Sequence, residues 1–344
     1  MMVAGGVLRP GEDVMRLFAR ATAALSVIAA SIAAGAAWAQ IPMSDPAAGG
    51  IVMVMLAAAV RTVEYASLFA AAGGGVFLVQ AVGNDMLLAR RLQPGLLWLV
   101  LTAGMASVVD VGLHGARLSA GIVGLVAGEA WIAGLASARG LGASVLLIGL
   151  GLLALGISAH GRRGAVAASL AGAAIAAAAV GLGRQTAVDG FSSFCVLLAA
   201  LHAAAAGLII GTLWPLIVTL TTQPTIRSSE VVRRMAWPVL TGAALIILSG
   251  ALLSPVSPAD DTRGSATPYG VLWLAKLSVG ILTVSFAFLR FRQLVPALHA
   301  HRPGAERRLR ANLIYAGGML AAMILLGVLL ELVQTPFMIS GATQ

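Results

Sequence analysis

Eight stretches of the chain are apolar for long enough to cross a bilayer, and nothing else in the sequence constrains the fold as strongly. They cover about 51–82, 94–113, 141–160, 164–184, 191–221, 235–254, 269–291 and 310–333. Each approaches or exceeds the ~20 residues that span a hydrocarbon core as a helix. Helices are expected because an isolated strand leaves its backbone unpaired in lipid, and the outward-inward alternation of a barrel is absent. The first and fifth stretches are over-long and are expected to tilt or project from the membrane. Only 10% of the residues are charged and the mean hydropathy is +0.96, whereas a soluble domain carries about a quarter charged residues. The expected fold class is all-α, a polytopic membrane helix bundle with eight transmembrane helices, and its first partner is the lipid bilayer.

Ahead of these stretches, Arg16 and Arg20 precede an Ala, Val and Ile run that closes on Ala37-Trp38-Ala39. Charge, apolar run and small-x-small site in that order predict a signal peptide over 1–39, with Met15 well placed as its start. The run is nearly long enough to span, so an uncleaved N-terminal anchor helix stays open as the alternative. Residues 40–344 then form one eight-helix domain.

The loops set an orientation. Arg90 and Arg91, Arg162 and Arg163, Arg227 with Arg233 and Arg234, and the group Arg290, Arg292, Arg302, Arg307, Arg308 and Arg310 fall on alternate connections, which the positive-inside rule makes cytoplasmic. The other connections carry Asp45, Glu129, Asp189, Asp260 and Asp261 against few arginines. The mature N-terminus and the C-terminal tail are therefore expected outside the cytoplasm, as the signal peptide also requires. These short arginine clusters account for the basic balance, 22 Lys and Arg against 13 Asp and Glu, so no nucleic-acid partner is expected. The long connection over 111–140 is too apolar for a solvated linker; one or two short helices at the outer surface are expected there, or a half-inserted lid.

Ionisable residues inside spans are costly and usually face the bundle interior, which makes each a functional candidate. Arg61 and Glu64 lie about ten residues from the outer end of the first span, His202 is similarly placed in the fifth, Lys276 enters the seventh from outside, and Asp110 and Glu331 lie near the outer ends of the second and eighth. They share one depth, the outer half. Arg61 and Glu64 are three apart and can neutralise each other on one helix face; alternatively Glu64 is a ligand or proton carrier kept ionised by Arg61 or Lys276. The candidate metal donors are His202, Glu64, Cys195 and methionines such as Met53, Met55, Met105, Met319 and Met323. Cys195 and His202 are seven apart, about 10 Å along a helix axis, too far to grip one ion together. His114 in the outer loop reads as solvated, with an extra metal donor as the alternative, and His160, His299 and His301 stand with the cytoplasmic arginines. With one histidine well inside a span, no haem is expected. No nucleophile-base pair, phosphate loop or ligand-rich metal motif appears, so the chain is not expected to be an enzyme.

Three further stretches, "LHAAAAGLIIGTLWPLI", "TPYGVLWLAKLSVGILTVSFAFLRFRQLVPAL" and "RRLRANLIYAGGMLAAMILLGVLLE", together with "AVRTVEYASLFAAAGGGVFLV", resemble the copper resistance D (CopD) family of bacterial inner-membrane proteins. Tyr269, Gly270 and the helix-borne Lys276 carry the most specific part of the likeness. The resemblance implies copper homeostasis or transport with a copper ion as cargo; the candidate site for it is His202, with Glu64 as a further candidate donor, in the periplasmic half beside Arg61, Lys276, Asp110 and Glu331. It also implies a periplasmic copper-binding protein or a larger membrane complex as partner. The chain departs from the family where Glu64 replaces a first-span histidine, where Gly183-Arg184 replaces Gly-His, and where Ile209 replaces a Trp. A diverged copper protein, a non-transporting subunit or assembly factor, and a proton- or solute-coupled transporter using Glu64 all remain open at this point.

Overall fold

A computed structural model of the chain describes residues 48–82, 85–119, 122–159, 162–184, 193–253 and 268–334. The predicted signal segment 1–39, Asp45, His160, Asp189, Asp260 and Asp261 lie outside the described residues. Among the described residues ten α-helices follow in chain order: α1 Ala48–Phe77, α2 Met86–Leu118, α3 Ile122–Ala127, α4 Glu129–Ala136, α5 Ala138–Ser158, α6 Arg162–Arg184, α7 Ser193–Thr222, α8 Thr225–Leu253, α9 Pro268–His299 and α10 Ala305–Gln334. A π-helical turn, Leu78–Val82, continues α1. Seven helices, all but α3, α4 and α9, are long and apolar enough to cross a membrane. The expected 269–291 span falls on α9, a 32-residue helix whose apolar segment runs over Leu272–Ser285. The fold is thus a polytopic helical bundle of a multi-pass membrane protein.

Helix ends depart from the hydropathy reading in an instructive way. The second span was expected over 94–113, but α2 begins eight residues earlier and ends five later, at 33 residues. Asp85 starts it, accepting a hydrogen bond from the Leu88 backbone N–H at 3.2 Å as an N-cap does. Arg90, Arg91 and His114, expected in loops, therefore lie on α2; polar side chains at a span's ends lower its hydropathy without interrupting its backbone ladder.

The 111–140 connection forms two short helices, but they do not lie loose on the surface. Gly128, with φ of +84°, turns the chain between α3 and α4 in the left-handed region that favours glycine. Helix α4 then presses on the last turns of α2: a Cβ on Gly115 would meet the Ala130 carbonyl oxygen at 1.7 Å, and the Trp131 ring covers Gly112 while its Nε1 donates to the Leu125 carbonyl at 3.0 Å. Ser137 caps the next helix, accepting from the Gly140 N–H at 3.2 Å, and so aims the first turn of α5. Ser137→Ala is expected to cost about 1 kcal/mol, read as a lowered midpoint of thermal unfolding in detergent; an unchanged midpoint would remove the cap from this account.

The core forms where α1 crosses α7. Gly73 and Gly211 bring the two backbones together: a Cβ on Gly73 would stand 1.9 Å from the Gly207 carbonyl oxygen, and one on Gly211 would stand 2.4 Å from the Gly73 Cα. Small residues at such crossings permit the close packing that replaces a hydrophobic driving force in lipid. Around this crossing one apolar core runs from Leu68 and Phe77 of α1 through Leu92 and Leu96 of α2 and Leu153 of α5 to Trp214 of α7 and Leu298 and Leu309 of α9 and α10.

Candidate functional site

Four charged side chains from four helices meet near the arginine-poor end of the bundle. Arg61 of α1 donates from Nε to Asp110 Oδ1 of α2 at 2.9 Å and from Nη1 to Glu331 Oε1 of α10 at 3.3 Å. Arg139, in the first turn of α5, donates from Nε to the second oxygen of Asp110 and from Nη1 to Glu331 Oε1 at 3.1 Å. The Tyr65 hydroxyl donates to Glu331 Oε2 at 3.3 Å. Two guanidinium groups and two carboxylates therefore alternate in a closed, formally neutral ring.

Burial makes this ring consequential. The Arg61 side chain is 2% exposed and that of Asp110 4%, so both charges have left water at a cost of several kcal/mol each. That cost is offset only by charge-assisted hydrogen bonds of good geometry, and Asp110 receives one on each oxygen. Four contacts, from residues as far apart as 61 and 331, are needed to close it.

Glu64 stands beside the ring and outside it. It is 6% exposed and lies next to Ser107 of α2, with Asp110, Arg139 and Arg61 in electrostatic reach. Ser107 is its nearest polar neighbour, and among the described residues neither Glu64 Oε2 nor Ser107 Oγ makes a well-formed hydrogen bond. The helix-face proximity of Arg61 and Glu64 suggested a local pair, but the Arg61 guanidinium turns to Asp110 and Glu331 instead, where one group satisfies two carboxylates.

His202 is elsewhere. Its Nδ1 lies 3.0 Å from Ser249 Oγ of α8, and its ring packs on Gly250. Because Ser249 Oγ donates to the Leu245 carbonyl, the Nδ1–H is the donor to serine. His202 thus faces α8 while Glu64 faces α2, and the two candidate donors do not converge. Cys195 is buried in α7. Among the described residues, no group of three or more His, Cys, Asp or Glu side chains is gathered closely enough to hold a metal ion. Lys276 of α9 packs its Nζ against Gly327 of α10, one turn before Glu331.

His114 is half-buried on α2, next to the ring and not in a solvated loop, and Arg117 donates to the Met53 carbonyl of α1 at 3.4 Å. Arg61, Asp110 and Glu331 were legible as intramembrane charges; Arg139 and Tyr65 were not. The signal for Arg139 was present, an arginine in a connection otherwise poor in them, but its two partners are 29 and 192 residues away.

No family model, curated protein or solved structure matches this chain. Chemically, the site offers a neutral clasp of four charges with one buried carboxylate, Glu64, and the His114 imidazole beside it, while the His202 imidazole on α7 faces α8.

Proposed function

We propose that the protein is a copper-homeostasis or transport protein of the copper resistance D type in a bacterial inner membrane. On this reading α9 supplies the eighth span, an N-terminal signal segment precedes the bundle, both mature termini are periplasmic, and the arginine-poor end is the periplasmic half where copper enters. The observation that carries it is Glu64: it occupies the first-span position where the resembled family has a histidine, and it is buried with an oxygen that makes no well-formed hydrogen bond among the described residues. Carboxylate and imidazole are both ligands for Cu(II), while thioether sulfur suits Cu(I). Glu64 and His202 act on this reading as successive donors along a path, since they face different helices.

A second reading is favoured by that same divergence. If His202 serves only to tie α7 to α8 through Ser249, and the ring only to hold four helices, the chain is a non-transporting subunit or assembly factor whose periplasmic face meets a copper-binding protein or a larger complex. Elemental analysis of the purified protein after Cu(I) and then Cu(II) loading separates the two. The copper reading expects near-stoichiometric metal in wild type and its loss in both His202→Ala and Glu64→Gln. Wild type without retained copper in either oxidation state favours the subunit reading.

A further inference from the structure

Helices α9 and α10 are joined to the rest of the bundle very differently at their two ends. At the arginine-rich end, Leu294 and Leu298 of α9 and Ala305 and Leu309 of α10 belong to the same continuous apolar core as Leu68, Leu153 and Trp214. At the opposite end that core does not reach them. Leu325 and Leu329 form a small cluster of their own with Leu272, entirely within the hairpin, and Val328 packs on Ala58 of α1 with Tyr65 and Ile324 alongside.

Beyond that small Val328–Ala58 contact with α1, what ties the arginine-poor end of α10 to α1 and α5 is charge: Glu331 held by Arg61, Arg139 and the Tyr65 hydroxyl. Ion pairs and apolar contacts differ in how they yield. A packed core loses energy steeply with any separation, whereas guanidinium groups on long side chains can exchange carboxylates for water or for another partner in one step. An element anchored by core at one end and by ion pairs at the other is arranged as a hinge and a latch.

We propose that the Arg61–Asp110–Arg139–Glu331 ring is the latch of a gate formed by the α9–α10 hairpin, which pivots at the arginine-rich end and opens at the other. Closed, the ring covers Glu64 and Ser107, whose Oε2 and Oγ are buried with no well-formed hydrogen bond among the described residues. Opened, Asp110 keeps one guanidinium, Glu331 moves away with α10, and water reaches those two atoms. The gate does not depend on which ion or molecule passes, so it stands or falls separately from the copper reading.

Distances between spin labels test it on the full chain in liposomes, in a Cys195→Ser background that removes the chain's single cysteine. One label pair sits at the arginine-poor end, on Leu141 of α5 and Leu277 of α9, which are 58% and 45% exposed; the other sits toward the arginine-rich end, on Leu155 and Leu289, which are 65% and 59% exposed. Glu331→Gln removes a latch charge while keeping side-chain length, and Arg139→Gln removes one while keeping a hydrogen-bonding group on a shorter side chain. The expected result in each variant is a longer-distance population for 141–277 with 155–289 unchanged. Unchanged distances for both pairs would make the ring a static clasp, and equal broadening of both would mean general loosening; either overturns the gate.

Discussion

Replacing Asp110 with alanine is expected to lower the stability of the protein by about 3–5 kcal/mol, the cost of leaving buried charge without its partner. Asp110 accepts from both Arg61 Nε and Arg139 Nε, and Arg61 is 2% exposed. Without it, two guanidinium groups face each other in the interior with Glu331 as their hydrogen-bonded carboxylate and Glu64 beside them. The cost arises from the orphaned cations and not from any large net value of the ion pairs, so a control follows. Removing charge in balance, Asp110→Asn with Arg139→Gln, is expected to recover much of the loss. Thermal unfolding in detergent reads both proteins; a single variant as stable as wild type, or a double variant worse than the single, would show that the ring is not what holds these helices.

Gly73→Leu is expected to prevent assembly of the bundle or to cost about 3 kcal/mol or more, the upper end of overpacking. A Cβ there would overlap the Gly207 carbonyl oxygen at 1.9 Å and lie 2.9 Å from the Gly211 Cα. Both obstacles are backbone, which cannot step aside as a side-chain tip can, so α1 and α7 must separate along the line where the core begins. Gly318→Ala is the matched control: no atom stands within 4 Å of its Cβ position, and alanine is the better helix former by roughly 1 kcal/mol. Monodispersity on size exclusion and the unfolding midpoint decide the matter. A stable, monodisperse Gly73→Leu protein would mean that the α1–α7 crossing is looser than described.

These two expectations draw on different layers of information. The glycine triplet Gly73 to Gly75 was visible as a run of small residues, yet only the crossing partner tells which of its members bears the contact. Asp110 was visible as a charge near a span end, yet nothing local says that it has two arginines and that one of them, Arg139, sits just beyond a pair of short helices. Hydropathy is a window average: it finds the middle of α2 and misses Arg90, Arg91 and His114, because a few polar side chains lower the average while the backbone hydrogen bonds continue through them.

The sequence by itself determined that this chain builds helices, that most of them are long and apolar enough to cross a bilayer, and that its buried charges cluster toward one end. Those properties follow from apolar length, from the absence of barrel alternation and from the cost of unpaired backbone in lipid, all of which are local or additive along the chain. Only the tertiary structure decided which charges pair, that Arg61 leaves Glu64 for Asp110 and Glu331, that His202 turns to Ser249, and that Arg139 completes the ring. Pairing depends on which helix faces meet, and in a bundle the contacts that choose those faces join residues 49, 192 and 270 positions apart, beyond the reach of any periodicity.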